Sequence, residues 1–184
     1  MAKLVSKVYG DALFELALEK NMLDEVWSET QVLATVWNDD NGFADMMVNP
    51  QITKDEKIEF INGVFGGRAS EVITGFLAVL VEKGRTTELI SVLDYYSDRV
   101  REYKNIGVAY VTSAVALSDT QKKDVEERLL NVTDYVKFEM NYSVDESLIG
   151  GMVIRIGDRV LDSSIKQKLN TMSRSLSRIQ LINK

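Results

Sequence analysis

The run from Ser147 to Leu169, SLIGGMVIRIGDRVLDSSIKQKL, holds two kinds of local order side by side. Met152, Ile154 and Ile156 alternate with Val153 and Arg155, the period of two that a strand requires. Gly157 and Asp158 supply a turn, Arg159 to Leu161 return as a short antiparallel arm, and Asp162 or Ser163 offers an oxygen to cap a following helix. The reading is a hairpin that feeds a helix. Gly150 and Gly151 allow positive φ and close backbone approach at its start. They lack the GxGxxG spacing and no GK[ST] follows, so they read as turn formers rather than as a phosphate cradle.

Downstream, Ile165, Leu169, Met172, Leu176 and Ile179 fall at heptad spacing on a terminal helix. From Ser163 onward the basic residues Lys166, Lys168, Arg174, Arg178 and Lys184 face no acidic residue. Upstream, Val136, Phe138, Met140, Tyr142 and Val144 alternate with polar residues as a half-buried strand. Before it, Ser118 and Gln121 form a capping box for a helix whose buried side is Val125, Leu129 and Val132. Val108, Tyr110, Thr112 and Ala114 read as a further strand.

Ahead of Lys104 to Gly107 the apolar period is helical throughout. Leu4, Val8, Ala12 and Leu16, with Val5, Tyr9, Leu13 and Ala17 beside them, give a first helix with an apolar arc wider than one core face needs. A second helix runs from Leu23 to Trp37 after a break near Asn21, and a short third covers Phe43 to Val48 before Pro50. Thr53 and Glu56 make a capping box for a fourth, ended by the glycines around Gly66. Ser70 caps a fifth with the stripe Ile73, Phe76, Leu77 and Leu80, and Gly84 stops it. Thr86 or Thr87 starts a sixth with Leu89, Val92, Leu93, Tyr96, Val100 and Tyr103 as its stripe. The expected fold is mostly α with a small α+β part: a six-helix N-terminal bundle over residues 1–105, then a small α+β domain over 106–184.

Composition narrows the function. The 184 residues include no histidine and no cysteine, which removes Ser/His/Asp and Cys/His nucleophiles, thiolate zinc sites and imidazole metal ligands together. No catalytic residue, cofactor or metal is expected. A net charge of −6 argues against a nucleic-acid partner held by phosphate contacts. No segment reaches the ~20 apolar residues of a membrane helix and no signal peptide is visible, so the chain reads as soluble and cytoplasmic. Paired carboxylates, Asp39 with Asp40 or Glu126 with Glu127, point about 100° apart on a helix and make poor acid/base dyads. A lipid or nucleic-acid surface on the basic terminal helix would lack the Trp, Phe and Tyr that anchor or stack.

Val144, Asp145, Ser147 to Gly151, Ile156 to Arg159, Asp162, Ser164 and Leu169 together resemble the C-terminal signature of the delta subunit of the F-type ATP synthase, the family that includes the mitochondrial oligomycin-sensitivity-conferring protein. The family usually has proline where this chain has Glu146. The rest of the chain agrees in order: Tyr9 and Ala12 to Ala17, with Gly10 where alanine is commoner; Pro50, Ile52, Glu56 and Lys57; Phe76, Leu77 and Leu80 to Arg85; then Val111 to Ala114, Leu117, Ser118 and Gln121.

The resemblance implies a non-catalytic subunit of the peripheral stalk, one copy per complex. It would tether the catalytic head to the membrane sector, at the cytoplasmic face of the cell membrane, so that ion flow is coupled to ATP synthesis. The N-terminal domain would hold the N-terminal helix of an alpha subunit and the C-terminal domain the b subunits. The alternative from the residues alone is a cytoplasmic helix-binding adaptor unrelated to ATP synthase.

Helical projection leaves Val72, Gly75, Val79 and Glu82 on a second side of the fifth helix, and Tyr9, Ala12 and Leu16 together on the first. In the family these two helices form the groove for the alpha-subunit helix. Arg174 and Arg178 are the candidates for an acidic stalk partner, with the heptad stripe either facing that partner or covering the chain's own sheet.

Overall fold

The computed structural model describes residues 2–39 and 42–172. The protein is mostly helical with a small mixed four-stranded sheet. By its internal contacts it falls into two compact units, Met1–Tyr103 and Lys104–Lys184.

The first unit contains α1 (Ala2–Glu19), α2 (Leu23–Asn38), α3 (Phe43–Val48), α4 (Lys54–Phe65), α5 (Glu71–Glu82), a 3-10 turn at Thr86–Glu88, and α6 (Leu89–Tyr103). Their boundaries are chemical. Asn21 takes a positive φ of 55° between α1 and α2, a conformation asparagine tolerates better than most residues. The Thr53 hydroxyl accepts the Glu56 N–H at 3.3 Å while the Glu56 carboxylate accepts the Thr53 N–H at 2.8 Å, so the expected capping box opens α4. At the end of α5 the Gly84 N–H donates to the Val81 carbonyl at 3.0 Å and the Arg85 N–H to that of Leu80 at 2.8 Å. This is the paired closure that a left-handed residue after a helix permits, and Gly84 supplies it with φ 63°.

One core joins these helices. Leu13, Ala17, Val26, Leu33, Met47, Ile61, Ile73, Leu77, Leu80, Leu93, Tyr96 and Val100 are all buried in it. Burial of each large aliphatic side chain stabilises by about 1.5–3 kcal/mol relative to exposure. Lys57 is buried too, and its ammonium donates to the Met47 carbonyl at 2.8 Å, where the Thr86 hydroxyl also donates at 3.1 Å. The end of α3 is thereby satisfied.

Several expectations need correction in this unit. Thr86 and Thr87 lie in the 3-10 turn, and α6 begins only at Leu89. Tyr103 is exposed at the end of the α6 stripe, held edge-on against Phe14 with ring centroids 5.5 Å apart. Val72, assigned to the free side of α5, is buried in the core, as is Val81, so the core face of α5 is wider than one stripe.

The second unit contains β1 (Ile106–Ser113), α7 (Asp119–Val132), β2 (Lys137–Val144), β3 (Met152–Ile156), β4 (Arg159–Asp162) and a helix over residues 165–172. The strand order is β2-β1-β3-β4, with β1 and β2 parallel and the other pairs antiparallel. Parallel neighbours need a crossover, which α7 supplies; its own capping box is Ser118 with Gln121. Ala109, Val111, Phe138 and Ile154 share the sheet face that packs with Val125 and Leu129 of α7.

Here too some predicted burial fails. Val132, Val136 and Val144 are exposed, because they lie at or beyond the ends of α7 and of β2, an edge strand. Ala114 and Val115 fall past the end of β1. The cap of the terminal helix is neither Asp162 nor Ser163. The Ser164 hydroxyl accepts the Gln167 N–H at 3.2 Å, and Asp162 holds the Ser164 N–H at 2.9 Å one step earlier. Ile165, Leu169 and Met172 are exposed at 44%, 53% and 64%, so within the described residues the stripe does not cover the sheet. Leu176, Ile179, Arg174 and Arg178 lie outside the described residues.

Candidate helix-binding groove

Two helices of the first unit build an open trough of about 400 Å³, α1 on one wall and α5 on the other. Each wall is fastened from behind. On α1, Gly10 leaves room for the Tyr95 ring of α6, which a Cβ at this position would strike. The Tyr95 hydroxyl donates to Asp11 at 3.0 Å, and Arg99 lies 3.9 Å from Asp11 with its guanidinium 5.5 Å from the Phe14 ring centre. Burial, and then the hydrogen bond and charge of Asp11, raise the Tyr95 phenol above its ordinary pKa of 10.0, so it stays a donor.

On α5, the Ser70 hydroxyl accepts the Ile73 N–H at 3.4 Å as the helix cap. Ser70 in turn donates its N–H and its hydroxyl to Glu29 of α2, at 2.7 and 2.6 Å. At the other end the Lys54 ammonium of α4 donates to the Glu82 carbonyl at 2.7 Å, a cation on the negative end of the helix. Both ends of α5 are therefore tied to neighbouring helices.

The trough brings together six of the seven residues expected there: Tyr9, Ala12 and Leu16 from α1, with Val72, Gly75 and Val79 from α5. Glu82 does not line it; as the last residue of α5 it lies beyond the apolar stretch. Leu13 and Phe76 turn mainly into the core and form the floor. Val8, Leu16 and Val79 stand on the rim, 58%, 38% and 42% exposed.

Sequence reasoning missed Lys20 and Glu71, which bring opposite charges to one end of the trough. Both sit at helix termini, where an apolar-stripe search does not look. It also missed a second, apolar hollow of about 320 Å³ lined by Val32, Leu33, Val64, Phe65 and Ile73 among others. A third, more polar hollow of about 520 Å³ lies in the second unit around Asp134, Tyr135 and Asp158. Glu126 and Glu127 line none of these. Asp39 closes the end of α2, and its neighbour Asp40 is outside the described residues. Among the described residues no cluster of acidic side chains could hold a metal ion, and no helix is long and apolar enough to cross a membrane.

Comparison with known proteins identifies the context of this geometry. Residues 5–176 match the family model described as ATP synthase delta (OSCP) subunit. The chain is 52% identical over 98% of its length to the ATP synthase subunit delta of Lachnoclostridium phytofermentans, all of which is covered. It is 33% identical over 97% of its length to that of Alkaliphilus oremlandii, with 99% of the relative covered. Among solved structures, a chain of the Toxoplasma gondii mitochondrial ATP synthase hexamer shares the fold, with TM-score 0.73 at 20% identity, covering 93% of this chain and 96% of that one. Matched along nearly its whole length by family and by relatives alike, the chain belongs to the ATP synthase delta (OSCP) subunit family, the peripheral-stalk subunit of the F-type ATP synthase.

Proposed function

We propose that this subunit acts without catalysis of its own, as a tether between the catalytic head and the stalk. The helical unit, a six-helix bundle spanning residues 1–105, receives the N-terminal helix of an alpha subunit in the trough between α1 and α5. The C-terminal domain, 106–184, engages the b subunits, with Arg174 and Arg178 meeting acidic residues there. One copy serves each complex at the cytoplasmic face of the membrane. Torque from the rotating shaft is then resisted through this connection, so that ion flow drives synthesis rather than rotation of the head.

The observation that carries the reading is the convergence of Tyr9, Ala12, Leu16, Val72, Gly75 and Val79 on one apolar, open trough whose walls are held from outside. Burial of such surface contributes about 25 cal/mol per Å² before ordering costs. Val79→Asp places a charge on the rim without touching the core. It should abolish binding of the alpha-subunit N-terminal peptide in a calorimetric titration while helical circular dichroism stays within error of wild type. Undiminished binding by this variant would overturn the reading.

A further inference from the structure

Nine of the eleven glycines in the chain have a reason inside the fold: five take a positive φ, and at four others a Cβ would meet a neighbouring atom. Gly63 and Gly75 have neither. Gly63 lies in α4 and Gly75 in α5, both exposed, and a Cβ added to either meets open space. Glycine within a helix is the less stable choice, because it loses more backbone freedom on folding than alanine does. Among the described residues nothing would crowd a Cβ at either position and so require the glycine. The two differ in location. Gly75 is part of the trough wall, one turn from Val72 and one from Val79, whereas Gly63 lines none of the three hollows.

We infer that Gly75 is a socket for one large apolar side chain, of the Leu, Ile, Met or Phe class, on the helix that occupies the trough. The inference rests on the trough reading above and adds the register of the guest. The missing Cβ leaves a notch bounded along α5 by Val72 and Val79, the shape into which a knob from a facing helix packs. From Val8 to Lys20 the α1 wall runs about 18 Å at 1.5 Å per residue, room for roughly three turns of guest helix. A slip of one turn along α5 would set the knob on a valine instead of in the notch. Lys20 and Glu71 mark one end for polar residues of the guest, so the two ends are chemically distinct.

The test uses the full chain and a synthetic peptide of the alpha subunit's N-terminal segment, with Gly63 as internal control. Gly63→Ala and Gly75→Ala should both raise the melting temperature, while only Gly75→Ala weakens peptide binding. Gly75→Leu should weaken it roughly tenfold or more, the usual scale for overfilling a packed contact. Truncating one large apolar residue of the peptide to alanine should weaken binding to wild type yet restore binding to Gly75→Leu, a coupling that a double-mutant cycle reads directly. Equal binding by the wild type, Gly75→Ala and Gly75→Leu, or the lack of any compensating peptide, overturns the socket while leaving the trough. A wild-type chain that does not bind the peptide at all overturns the trough, and the socket with it.

Discussion

The two units solve the same problem at different scales. Among the described residues the helical unit buries twenty apolar residues in one cluster, and its helix ends are tied across the unit by Glu29, Lys54, Lys57 and Thr86. Among the described residues the sheet unit buries six apolar residues in its main cluster, on the sheet face that packs with α7. A small core has little in reserve, because stability is the narrow surplus of burial over chain entropy. The first unit can therefore carry an apolar trough on its surface, whereas the second depends on each of its large side chains.

The sharpest way to break this comparison is to remove one such side chain from each unit. Phe138 is 3% exposed and its ring lies 5.2 Å from that of Tyr135, so Phe138→Ala should cost about 3–5 kcal/mol. That should unfold the sheet unit, seen as loss of amide protection from β1 to β4, with protection of the helical unit retained. Leu77→Ala, a comparable deletion in the larger core, should lower stability by about 2–5 kcal/mol and leave the helical unit folded. Equal retention of protection in both units would end the contrast.

A smaller effect isolates one wall of the trough. Gly10→Ala drives a methyl into the Tyr95 ring. Overpacking of this kind costs about 1–3 kcal/mol. Gly10→Ala combined with Tyr95→Ala should be less destabilised than the sum of the single variants, measured by denaturant midpoints. Strict additivity would show that the ring has room to move.

The smallest effect separates the units by pH. Hydrogen bonds from Ser147, side chain and then backbone, hold the Asp145 carboxyl below its ordinary value of 3.8, and Ser164 does the same for Asp162. Each contribution to stability is complete above the unfolded value of about 3.9 and is lost as pH falls through the depressed folded value. Acid titration should show backbone signals of 145–151 and 162–167 shifting below pH 4. Asp162→Asn should flatten that response in the second stretch alone.

What was legible in the sequence was local. Capping boxes at Thr53 and Ser118, the Gly84 helix end and the Gly157-Asp158 turn are each decided within a few residues, and the structure has all of them. Tyr9, Ala12, Leu16, Gly75 and Val79 share the trough as helical projection, also local geometry, places them. What was not legible depended on distant partners. The parallel pairing of β1 with β2 joins segments separated by all of α7, and no short-range pattern encodes it. Val72 and Val81 are buried in the shared core, which a stripe read along α5 alone does not show. The glycines of the signature illustrate the middle case: turn geometry accounts for Gly151, but only the fold reveals that Gly150 must clear Ile165 of the terminal helix.

The strand order has a mechanical consequence for the tether proposed above. The chain enters the sheet at Ile106, at the end of the ladder where β1 lies beside Ile156 and Arg159. It leaves at Asp162, at the opposite end, because β4 runs parallel to β1 across the intervening β3. Tension between those two points acts along the strands. Such a pull loads the rungs between β1, β3 and β4 in shear, all at once, instead of peeling them open one after another. In the tether proposed above, a load carried between Ile106 and Asp162 would meet the sheet unit in shear, the direction in which its paired strands resist together.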